Sequence, residues 1–170
     1  MAKGIKKEIE KIDGIEAHQI LGHLDASNMR FGIVVARFNE ELTNELCQSA
    51  VTCLQKNGAT PQTIDVVRVP GAYEIPVVAG KMAESGNYAA LIVLGVVVEG
   101  ETQHAQMIID TTGQAILNLS SQHHIPIINE IVGVRTWAQA EARCLGGENT
   151  RGWYAAEAAI ETAHLYRKLG

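Results

Sequence analysis

The sequence predicts an α/β fold in which a four-stranded parallel sheet is covered by helices on both faces. Four runs rich in apolar, β-branched residues alternate with longer segments at helical spacing, and strand–helix alternation builds parallel sheets through right-handed crossovers. The strand runs are apolar at successive positions rather than at every second one, as strands buried on both faces should be. At 170 residues and 46% hydrophobic, the chain is a usual size for one domain with a proper core.

The elements follow in order. Residues 1–29 have mixed polarity, early Lys/Glu alternation and no strong period. They read as an N-terminal extension, part of it helical, with the domain proper at 30–170. Phe31 to Ala36 (FGIVVA) is the first strand of the sheet. Asn39 is placed to cap the next helix, with Glu40 and Glu41 in its first turn. Leu42, Leu46, Ala50, Cys53 and Leu54 give that helix a core stripe, and Asn57-Gly58 stops it. Thr63 to Val69 is the second strand, broken by Pro70-Gly71, and Glu74 to Glu84 is a helix ended by Ser85-Gly86. Ala89 to Val98 (AALIVLGVVV) is the third strand, followed by a long helix from Gln103 to about His123. Pro126 resets the chain before the fourth strand, Ile127 to Val132. Helices over Thr136–Leu145 and Gly152–Leu169 flank the polar loop GGENTR. No internal repeat or low-complexity segment interrupts the series. The simplest arrangement is a flavodoxin-like three-layer α/β/α sandwich, whose ligand crevice lies outside the carboxyl ends of the strands.

Several function classes are disfavoured. The net charge is −5 and no basic run extends beyond Lys3 to Lys11, so there is no electrostatic footprint for nucleic acid. No apolar run approaches the roughly 18 residues of a membrane span, and the N-terminus lacks the apolar centre of a signal peptide. The three cysteines, Cys47, Cys53 and Cys144, have no metal-ligand spacing, and their odd number suits reduced thiols and a cytoplasmic protein. His123-His124 is an adjacent pair without a carboxylate partner in reach, so no metal is expected.

Candidate chemistry collects in the loops after the strands. Phe38, after the first strand, is placed to stack on a flat ring, although taken alone it reads better as a core-edge aromatic. "VPGAYEIP" (Val69–Pro76) fixes a turn that exposes backbone N–H groups at a helix start. Glu74 there either accepts bonds from ligand hydroxyls or simply favours the helix N-terminus. After the third strand, Gly100 permits close approach of a ligand, and amides near Thr102 could hold a phosphate. His104 opens the next helix, where the dipole favours neutral imidazole, able to take and give a proton. Arg143 and Arg151 flank the Gly/Asn-rich loop and together could clamp an anion; singly, each reads as a solvated charge.

The combination of "RFN", "VPGAYEIP", "GETQH" and "R…TRG" resembles the lumazine synthase family from about Arg30 to Leu169. The resemblance implies a cofactor-independent transferase. Its members condense 5-amino-6-ribitylaminouracil with 3,4-dihydroxy-2-butanone 4-phosphate to 6,7-dimethyl-8-ribityllumazine, the penultimate step of riboflavin synthesis. By matched position, Phe38 would stack on the pyrimidine. Ala72, Tyr73 and Glu74 would hold the ribityl chain, and Val97 and Val98 would meet the uracil edge. Gly100, Glu101 and Thr102 would lie by the phosphate with Arg143, while Arg151 takes the place of the family's usual lysine. His104 would transfer protons. The resemblance further implies a homopentamer, in many members twelve of them in an icosahedral 60-mer. Each site would be shared between neighbouring subunits, and riboflavin synthase is an implied partner.

The chain departs from the family pattern at several places. Glu99 stands where the family usually has Arg, and Glu101 where it often has a small residue. Ala105 and Gln106 replace an aromatic and an acid, leaving Gln106 to orient the imidazole by hydrogen bond. Asn129 stands where the family commonly has a Phe that covers the ring from the neighbouring subunit. Two further readings stand beside the enzyme: a non-catalytic shell of the same kind binding a flavin or ribityl compound, and a flavodoxin-like regulator of another phosphate ligand. The joint presence of His104, Arg143 and Glu74 favours the enzyme.

Overall fold

The computed structural model describes residues 8–12 and 15–170. Its elements run β1 (Glu8–Ile12), β2 (Ile15–Gln19), β3 (Phe31–Ala36), α1 (Glu40–Lys56), β4 (Ile64–Val69), α2 (Ile75–Glu84), β5 (Ala90–Val98), α3 (His104–His123), β6 (Ile127–Val134), α4 (Trp137–Cys144) and α5 (Arg151–Leu169). β3 to β6 form one parallel sheet in the order β4-β3-β5-β6. The predicted sandwich is therefore the fold. The chain steps from β3 outward to β4, then back across β3 to β5. That reversal creates a topological switch point between β3 and β5, which is where open α/β sheets hold ligands.

Both faces of the sheet are packed, which is why its strands read as continuous apolar runs. Phe31, Ile33 and Val35 of β3, with Ala90, Ile92, Leu94 and Val96 of β5, share one core with α1, α4 and α5. Val34 and Ala36, with Leu91, Val93 and Val97, share the other with α2 and α3. Ile33, Leu91, Ile92 and Leu94 are fully buried, and such side chains each contribute about 1.5–3 kcal/mol. Helices α1 and α5 cross tightly at Gly152. A Cβ there would meet the backbone of Leu46, with the carbonyl carbon at 2.8 Å and Cα at 2.9 Å.

Three expectations need correction. The described part of the extension is an antiparallel pair, β1 with β2, in the register Glu8↔Gln19 to Ile12↔Ile15, and not helix. Its sequence alternates over Glu8–Glu10 and again over Ile15–His18, the strand period, though only in these short stretches. Secondly, β6 runs on to Val134, where it pairs with Val98. Gly133 lets α3 come close, because a Cβ there would lie 2.5 Å from the Ile109 side chain. Thirdly, Asn39 begins α1 in the left-handed conformation (φ 57°) without a side-chain capping bond. Its amide is used elsewhere, at the site.

The segment after β2 lies along α5. Lys168 Nζ donates to the Leu21 carbonyl (2.7 Å), and a ring nitrogen of His164 lies 2.7 Å from the Asp25 carbonyl oxygen. Further on, Ala26 N–H donates to the Asn57 carbonyl (2.7 Å).

Candidate active site

The carboxyl ends of β3, β4 and β5 meet around a cavity of about 450 Å³, within the usual size of a small-molecule site. Backbone bonds hold its rim. Arg37 N–H donates to the Val69 carbonyl (2.8 Å) and Phe38 N–H to the Pro70 carbonyl (3.1 Å), tying the β3 loop to the β4 turn. Asn39 Nδ2 donates to the Val96 carbonyl (2.9 Å), tying the same loop to β5. The left-handed backbone at Asn39 aims the amide across the switch point instead of along the helix, which Asn tolerates better than most residues. Phe38 is left 69% exposed over the cavity. So exposed, Phe38 stands on the cavity rim with its ring free of the core, and is not the core-edge residue it resembles in isolation.

The β4 turn supplies the next wall. Gly71 is extended, and Ala72–Glu74 form a short 3-10 turn leading into α2. Glu74 folds back over Gly71, with Oε2 only 3.0 Å from where a Gly71 Cβ would sit. Pro76 stands in the first turn of α2, where the N–H it lacks would have no helical partner. Ala72 is buried, while Tyr73 and Glu74 are exposed on the cavity side.

The end of β5 closes the third side. Glu99 N–H donates to the Val134 carbonyl (2.8 Å), so pairing with β6 persists to the last residue before the turn. Val96, Val97 and Val98 form an apolar floor, and Gly100 has open space around it. His104 is the first residue of α3; its backbone N–H donates to Thr102 Oγ1 (3.4 Å) and its ring lines the cavity. Gln106 does not orient that ring, because its amide donates to Asp110 Oδ1 (2.8 Å), one turn further along α3. The cavity thus offers a stacking aromatic, an apolar floor, a carboxylate at Glu74 and an imidazole at His104. Together they can hold a flat heterocycle with a polyol arm and move protons beside it.

Nine of the expected residues line this cavity: Phe38, Ala72, Tyr73, Glu74, Val97, Val98, Gly100, Thr102 and His104. Four do not. Glu101 is exposed outside it. Asn129 is exposed on β6, and its Oδ1 accepts from Ile131 N–H (3.1 Å). Arg143, on α4, donates to the Gln139 carbonyl of its own helix (3.1 Å). Arg151, at the start of α5, is paired with Glu130. The carboxylate of Glu99 lies 4.0 Å from Arg135 Nε. Among the described residues no three His, Cys, Asp or Glu side chains converge as metal ligands. No helix of the described residues is long and apolar enough to cross a membrane.

Asn39, Ala105 and Ile108 also line the cavity and were not anticipated. Asn39 was assigned to helix capping, and only its backbone angle shows otherwise. Ala105 and Ile108 are three positions apart and so share one face of α3, and Ile108 lies one turn on from His104. Glu130 carries a sequence signal of its own: a carboxylate in the run IINEIVGV, where Asn129 is the only other polar side chain.

Comparison with known proteins is consistent with this geometry. The sequence model of the family described as 6,7-dimethyl-8-ribityllumazine synthase matches residues 28–167. A 6,7-dimethyl-8-ribityllumazine synthase of Thermococcus gammatolerans is 39% identical over 155 residues, covering 91% of this chain and 99% of that protein. One from Thermococcus kodakarensis is 38% identical over 155 residues, covering 91% of this chain and 97% of its own length.

Proposed function

The chain belongs to the 6,7-dimethyl-8-ribityllumazine synthase family, and from that premise we propose that it condenses 5-amino-6-ribitylaminouracil with 3,4-dihydroxy-2-butanone 4-phosphate to give 6,7-dimethyl-8-ribityllumazine, phosphate and water. The observation that carries the reading is the convergence of Phe38, Glu74 and His104 on one cavity at the switch point. Phe38 stacks on the pyrimidine, Glu74 accepts from ribityl hydroxyls, and the backbone of Val97 and Val98 meets the uracil edge. The 5-amino group attacks the ketone carbon of the butanone. His104 takes and returns protons as one water leaves to form the imine, as phosphate departs, and as the ribitylamino nitrogen closes the second ring with loss of a second water. Holding amine and ketone together supplies much of the acceleration. The test is direct: mixing the two substrates with the protein should produce the absorbance of the lumazine. Binding of a ribityl compound without any lumazine would leave a storage shell and end the enzymatic reading.

The phosphate side of the site is completed by a neighbouring subunit. Arg143 and Arg151 lie outside the cavity formed by their own chain, yet a departing phosphate calls for a guanidinium beside it. A head-to-tail ring supplies one at every interface. The oligomer is then a pentamer or a shell of pentamers, and the unpaired thiols suit the cytoplasm.

A mixing experiment checks the division. One variant carries Glu74→Ala with His104→Ala, the other Arg143→Ala. Unfolded together and reassembled, they should regain roughly a quarter of wild-type activity, since a random heterologous contact joins two intact faces that often. Mixed rings as inactive as their parents would put the whole site within one chain.

A further inference from the structure

Among the described residues Glu130 is the only buried charged side chain. It receives two hydrogen bonds from one guanidinium: Arg151 Nε donates to Oε1 (2.6 Å) and Nη2 to Oε2 (3.1 Å). An ion pair with one partner buried and the other half exposed is a weak stabilising device, because desolvation of the buried partner offsets much of the attraction. Its geometry, by contrast, is restrictive. The planar fork admits one arrangement of the two bonds.

The other end of Arg151 is fixed as well. Thr150 Oγ1 lies 2.6 Å from Ser49 Oγ, which donates to the Gly147 carbonyl (2.7 Å). Gly152, the next residue, is pressed against the Leu46 backbone. The backbone of Arg151 is therefore held by α1 while its head is held by β6. Of the five guanidinium N–H donors, two face Glu130 and three remain, on a side chain still 49% exposed. The cation is held in place with three of its five donors left over on a half-exposed side chain.

We propose that Glu130 is the positioning residue of the phosphate subsite, holding Arg151 so that its free donors face the phosphate of the butanone substrate. This rests on the functional reading above. Without Glu130 the long side chain must be ordered each time substrate binds, and that cost falls on one substrate alone.

The test is steady-state kinetics with each substrate varied in turn. In Glu130→Gln, KM for the butanone phosphate should rise about threefold to tenfold, the cost of immobilising one rotamer-rich side chain. KM for the ribitylaminouracil and kcat should stay within about twofold. In an Arg151→Ala background the Glu130→Gln change should add nothing further, as expected when one residue acts only through the other. Should Glu130→Gln fail to assemble, Glu130→Asp keeps the charge but shortens the reach, and KM must move in the same direction. An unchanged or lower KM for the butanone phosphate would overturn the proposal, the lower value meaning that Glu130 merely cancels the cation. An effect that persists without Arg151 would overturn it equally. Wild-type protein run in parallel separates the two claims. If it makes no lumazine, the functional reading fails; if it does and the variants keep their KM, only the role of Glu130 fails.

Discussion

Gly152→Ala is expected to destabilise the fold by about 3 kcal/mol or more, the upper part of the range for overpacked sites. The added methyl would press on the carbonyl group and Cα of Leu46, which are backbone atoms in the middle of α1. A side chain could rotate away, but a helix backbone cannot. Relief therefore requires α1 and α5 to move apart, and these helices cover one face of the sheet through Leu46, Ala50, Ala156 and Ile160, all fully buried. For a chain of this length that corresponds to a drop in thermal midpoint of about 6–12 °C, read by a thermal melt at fixed concentration. Gly113→Ala is the control. It lies within α3, where a Cβ would have only Asn129 Nδ2 nearby, at 3.7 Å. There alanine should be neutral or gain up to about 1 kcal/mol from helix propensity. If both variants melt like wild type, the crossing at Gly152 is looser than described.

His104→Ala should lower kcat by about 100-fold or more, the usual contribution of a positioned acid–base group, while KM for both substrates changes little. A loss confined to kcat means that the group acts in the transition state rather than in binding. Residual turnover should remain, because Phe38, Glu74 and the β5 floor still orient the reactants. A kcat equal to wild type would remove His104 from proton transfer and leave it a rim residue.

Much of this is legible in the sequence. FGIVVA and AALIVLGVVV read as strands buried on both faces, and the alternation with helical stripes leaves few topologies. The loops after those strands carried the residues that line the cavity, because parallel sheets gather strand ends at one edge. What was not legible depended on direction. Asn39 has the composition of a cap, yet its φ of 57° turns the amide toward Val96. Gln106 has the reach to meet the imidazole, but Asp110 stands one turn away and captures it. Glu130 and Arg151 are 21 residues apart, and nothing local couples them; only the packing of α5 against β6 does. The strand pair in the extension was missed for a different reason. Its runs are five residues each and largely polar, so the period of two was present but weak.

The burial of all three cysteines gives the protein a built-in clock. Desolvation pushes the Cys53 thiol up to about 12 and the Cys144 thiol up to about 11, and raises that of Cys47. At neutral pH these buried groups are then thiols rather than thiolates, the form that alkylating agents attack. Folded protein is accordingly expected to react only slowly with iodoacetamide. Any labelling that does occur times an opening event: Cys47 and Cys53 report the release of α1, and Cys144 that of α4. Three native residues thus report on the opening of two helices, α1 and α4.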